Sequence, residues 1–108
     1  MINTNDIISL ELHKICCHKL KKNNSLLNII KDNQKRFNEI HDNLKGVKLW
    51  NDIINTNNIN YIIKKCLEKT PNGQILRSSS PFTNIIPFDE VLELKKKLRT
   101  KYENRTIN

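Results

Sequence analysis

The sequence predicts an all-α fold, a small bundle of four to five helices with one extended loop segment at about residues 74–88. Two observations carry that prediction. Apolar residues recur at steps of three and four through most of the chain. The first and last helical stretches also place acids early and bases late, the order that the helix dipole favours: Asp6 and Glu11 precede Lys14, Lys19, Lys21 and Lys22, and Asp89, Glu90 and Glu93 precede Lys95, Lys96, Lys97, Arg99 and Lys101.

The clearest period lies between Ser25 and Leu44. Leu26, Ile30, Phe37, Ile40 and Leu44 form one apolar seam, Leu27 widens it, and Asn33 occupies the vacant slot. Lys31, Lys35, Arg36, Glu39 and Lys45 lie on the opposite side. A helix of this kind is unstable alone and must lay its seam against something, so it is expected at the centre of the bundle.

The other elements follow in order. Residues 1–5 are polar and expected to fray, with Thr4 or Asn5 capping a first helix from about Asp6 to Lys21 that turns Ile8, Leu12, Ile15, Cys16 and Leu20 inward. A short turn at Lys22-Asn23-Asn24 makes the first two helices antiparallel neighbours, with Asn24 as the second N-cap. Gly46 sits just past Leu44 and is expected to end the long helix in a left-handed turn. Val47 to Ile54 forms a short helix with Val47, Trp50 and Ile54 inward, and the polar run Asn55–Asn58 breaks it. Ile59, Ile62, Ile63, Cys66 and Leu67 then mark a fourth helix, and Thr70-Pro71-Asn72-Gly73 reads as a turn.

From Gln74 to Pro87 the helical period is lost. Three serines and two prolines argue for loop, yet Ile75, Leu76, Phe82, Ile85, Ile86 and Phe88 are too apolar for disorder. An extended segment packed across the helices is expected, with a short strand at Gln74–Arg77. The last helix begins at Asp89 and runs to about Glu103, with Val91, Leu94, Leu98 and Tyr102 inward.

Composition bounds the function. The 108 residues are expected to form a single helical domain, and 37% of them are hydrophobic, below the roughly 45–50% of average domains. The core is therefore thin, which favours a homo-oligomer or a stable partner. The net charge of +8 points toward an anionic partner. Nearly half of the chain is Lys, Asn and Ile, however, so part of that charge is compositional bias. Three cysteines, two of them adjacent, do not make a disulfide framework. Asp6 and Glu11 interrupt any signal-peptide core, and no run approaches the roughly 18 apolar residues of a membrane span. The expected location is an intracellular, reducing compartment without membrane contact. The sequons at Asn23 and Asn104 are then chance matches.

Three clusters invite a chemical reading. His13, Cys16, Cys17 and His18 are zinc-ligand types. On one helix, though, His18 points about 140° from His13, and Cys66 or His41 would have to close the site. Cys17 has His13 one turn earlier, a setting for an activated thiol, but the chain offers little material for an oxyanion site. Arg77-Ser78-Ser79-Ser80-Pro81 has the composition of a phosphorylation loop. We expect no metal, no cofactor and no catalytic residue.

The expected function is that of a non-enzymatic protein–protein interaction module: an adaptor, complex subunit or inhibitor that docks through apolar surface. Phe82, Ile85, Ile86 and Phe88 are the expected contact residues, with Phe37 and Trp50 as alternates. Lys95, Lys96, Lys97, Arg99 and Lys101, joined by Arg105, would meet an acidic partner and speed association. By helical wheel these bases fan around both flanks of the apolar stripe instead of forming one strip. The alternative is a basic nucleic-acid-binding protein that uses the same helix ends, distinguished by a steep salt dependence.

Overall fold

The computed structural model describes residues 4–107, with side chains described for residues 4–103. It is all-helical among those residues. The order is α1 (Thr4–Lys22), α2 (Leu26–Ile40), α3 (Lys45–Asn55), α4 (Ile59–Cys66), α5 (Pro71–Ser78) and α6 (Phe88–Ile107). Thr4 and Asn5 thus belong to the first helix, and the first three residues, Asn104 and Arg105 lie outside the described side chains.

In α3, which packs against α2, α4 and α5, Trp50 is completely buried. Its indole Nε1 donates to the Leu76 carbonyl of α5 at 2.7 Å, and its ring lies 5.7 Å from that of Phe82. A buried tryptophan needs a partner for its single donor, and the C-terminal end of α5 supplies one. Cys16, Cys17 and Leu20 of α1, Leu27 and Ile30 of α2, Ile53 and Ile54 of α3, Ile62 and Cys66 of α4, and Leu76 of α5 complete the core.

Six helices replace the expected four to five because the 74–88 segment is not extended throughout. Thr70 is an N-cap whose side chain accepts from the Gly73 N–H, and Pro71 opens α5. Pro at the first helical position forgoes only a donor that would be orphaned anyway. The residues read as a turn are therefore a helix start, and Gln74–Arg77 is helix, not strand.

The second helix also departs from expectation. It ends at Ile40, and α3 begins at Lys45 after a turn through His41–Asn43. Ile40 and Leu44 consequently stand 68% and 48% exposed instead of completing the seam. Nor is α2 central: it packs chiefly on α3 and α1. Its N-cap is Ser25, and Asn23 Oδ1 accepts from the Ser25 N–H and hydroxyl.

Both glycines mark close approaches, not left-handed turns. Gly46 is buried in the first turn of α3, where a Cβ would lie 2.5 Å from Ser79 Oγ. Gly73 lets α5 start against the end of α4, where a Cβ would meet the Glu68 carbonyl at 1.8 Å. The left-handed positions fall to Asn57 and Asn84, residues that tolerate them. Asn57 is in the predicted break between α3 and α4, whose N-cap Asn58 accepts from the Tyr61 N–H.

Candidate functional site

A cleft lies between α1, α6 and the 79–87 segment. It holds about 530 Å³, within the range of ligand pockets. Ile8, Leu12, Ile86 and Val91 supply apolar wall, His13 and Ser80 a polar floor, and Phe88, Lys95 and Arg99 the α6 side.

Two side chains fix the segment that forms one wall. Asn33, the polar residue in the apolar seam of α2, is buried because its amide nitrogen donates to the carbonyls of Pro81 and Thr83 at 2.9 and 2.7 Å. Its oxygen accepts from Arg36. From the other side, His13 Nδ1 donates to the Ser9 carbonyl at 2.7 Å, which leaves Nε2 to accept the Ser80 hydroxyl proton at 2.8 Å. Ser80 Oγ in turn accepts the Phe82 N–H. Burial pushes the His13 pKa down, the bond to Ser9 opposes that shift, and the Arg77 guanidinium adds to it. The neutral ring is thus the form that accepts from Ser80. Each polar atom of the pair is used, and the pair acts as a bolt between α1 and the segment.

These contacts decide where the expected interface residues lie. Phe82, Ile85 and Ile86 are buried under the bundle, Phe82 to 5% exposure, and Trp50 is fully enclosed. Their apolar surface is absorbed within the chain, so these positions present no outward patch in this structure. Phe37 is half-buried beside a shallower pocket of about 230 Å³ with His41, Leu44 and Ser78. Phe88 alone among the four principal candidates stands out, at 74% exposure, and Leu92, one turn further on, is 52% exposed.

The charged candidates remain at the surface: Lys95, Lys96, Lys97, Arg99 and Lys101 are all exposed. Lys95 and Arg99 reach the cleft. The sequence reading missed that Phe88, Leu92, Lys95 and Arg99 share a stripe. Their spacing of four, three and four was available as the signal. Val91, Leu94, Leu98 and Tyr102, half-buried in the structure, make the more apolar stripe beside it and mask that signal.

The cysteine and serine clusters resolve differently. Cys16, Cys17 and Cys66 meet in the core as free thiols, while His18 is exposed and His13 turns toward Ser80. Burial pushes the Cys16 thiol up to about 12, and a hydrogen bond with Cys17, together with burial, drives Cys66 upward as well. Among the described residues no three His, Cys, Asp or Glu side chains gather in a way that holds a metal ion. Of the Arg77–Pro81 run, Arg77 is buried and donates to the carbonyls of Cys66 and Glu68, both at 2.9 Å, which caps the end of α4. Ser78 is exposed, Ser79 lies against Gly46, and Ser80 is held by His13.

The described residues form an all-helical fold whose final helix exposes five bases. No described helix is long and apolar enough to cross a membrane. Comparison with protein-family models, curated proteins and solved structures finds no match.

Proposed function

We propose that the chain is a non-enzymatic docking module that binds another protein through the outer side of α6 and the adjoining cleft. One observation carries this reading: Phe88 and Leu92 are exposed on the same stripe as the exposed cations Lys95 and Arg99. Leaving a large apolar side chain in water forgoes about 1.5–3 kcal/mol of burial, which a partner would recover. No α6 side chain from 88 to 103 is fully buried, so the helix contributes more surface than core. An apolar centre with a polar rim is the usual anatomy of a protein interface. The bases would raise the rate of encounter with an acidic partner more than the affinity.

The nucleic-acid reading draws on the five exposed bases of α6. Their positions fan around the helix by about 100° per residue, which leaves few for any one phosphate strand. The test is a photo-crosslinker placed at Leu92 in native cell extract, run at low and high salt. Docking through apolar surface predicts one protein adduct in both salts, lost in Phe88→Ser. Adducts with nucleic acid alone, lost at high salt, would refute the proposal.

A further inference from the structure

We infer that the partner element is an acidic amphipathic helix lying antiparallel to α6, with two carboxylates four residues apart followed by two apolar residues four apart. This inference rests on the docking reading and names the occupant of that surface.

Phe88, Leu92, Lys95 and Arg99 fall within about 60° of one another at 100° per residue, along roughly 17 Å of helix. The N-terminal half of this stripe is apolar and the C-terminal half cationic. Beside it the cleft descends to Ile8, Leu12 and Ile86. The bolted His13–Ser80 pair presents no unsatisfied donor there. Ile8, Leu12 and Ile86 can therefore receive an apolar side chain, while Asn5, Ser9, Thr83 and Asn84 line the polar remainder of the cleft.

Charge selects among occupants. A second copy carries the same net charge of +8, so it would meet these cations with like charge overall. A phosphate backbone would satisfy the cations and leave Phe88, Leu92 and the cleft in water. A helix with acids at positions i and i+4 and apolar residues at i+7 and i+11 meets Arg99, Lys95, Leu92 and Phe88 in turn when it runs antiparallel. Its acids then also lie near its own N-terminus, where the dipole favours them.

The probe is a fluorescein-labelled, alanine-based peptide with Glu at i and i+4 and Leu at i+7 and i+11, titrated with the whole chain and read by anisotropy. We expect saturable binding that weakens at least about tenfold in Phe88→Ser. We expect Lys95→Glu with Arg99→Glu to abolish it and a Glu→Lys peptide to restore it. Circular dichroism checks that these surface variants stay folded. Binding no tighter than a scrambled peptide, binding indifferent to Phe88→Ser, or no rescue by charge exchange would overturn the inference. Displacement of the peptide by a short single-stranded oligonucleotide at physiological salt would overturn it too. If the peptide fails while the Phe88-dependent crosslink at Leu92 persists, the helical partner is wrong and the docking reading stands; loss of the crosslink removes both.

Discussion

His13 Nε2 stands 2.8 Å from the hydroxyl of Ser80, 67 positions away in the chain. The ring accepts there only while it is neutral, and burial holds its pKa below the ordinary 6.5. A base whose pKa is depressed by folding binds its proton more readily when unfolded. Its contribution is thus fully present above about pH 6.5 and is lost as pH falls through the depressed native value. The urea midpoint should decline between about pH 7 and 5, with a shallower slope in His13→Gln. Equal slopes in the two proteins would exclude His13 as the cause.

The buried thiols titrate in the opposite sense. Cys16, raised to about 12 from 9.0, contributes stability below pH 9 that is lost as pH rises toward 12. At about pH 8 iodoacetamide should leave Cys16 and Cys66 of the folded protein unmodified over a period that labels both in urea. Rapid native labelling followed by mass spectrometry would contradict this.

Gly46→Ala should destabilise by about 1–3 kcal/mol, because its Cβ would fall 2.6 Å from Ser79 Cβ and 2.9 Å from the Ile75 carbonyl. Ser79→Gly added to it removes the side-chain clash and should recover part of the loss in chemical denaturation. Additive effects of the two substitutions would show that this contact is not the source.

Asn33→Leu perfects the apolar period of α2, yet it should cost about 1–3 kcal/mol by leaving the Pro81 and Thr83 carbonyls without their donor. A urea titration showing increased stability would mean that hydrophobic period outweighs those two bonds.

Phe82→Ala and Phe88→Ala separate core from surface. The first should lose about 3–5 kcal/mol, and the second should stay within about 0.5 kcal/mol. Similar losses in the two variants would place Phe88 in the core.

The helical period made α1, α2, α3, α4 and α6 legible, because each has an apolar face long enough to repeat. α5 was not, since eight residues with Pro71 and Gly73 give a turn-like composition. Its stability comes from contacts that no local pattern encodes: the Gly73 approach to Glu68 and the Trp50 bond to Leu76. Asn33 shows the same limit. It breaks the seam in sequence, and its reason lies 48 and 50 residues away. For the interface, composition picked out the apolar 82–88 cluster but not which members face outward. Phe82 and Phe88 differ by tertiary packing alone.

The absence of any fully buried side chain from 88 to 103, with α1 as the principal neighbour of α6, has a consequence for hydrogen exchange. A helix with no fully buried side chain is expected to open before the Trp50 core, as a separate cooperative unit. Its amides should exchange through a sub-global event of lower free energy than those of α3. A ligand on its outer side would then slow exchange along α6 well beyond the residues that it touches.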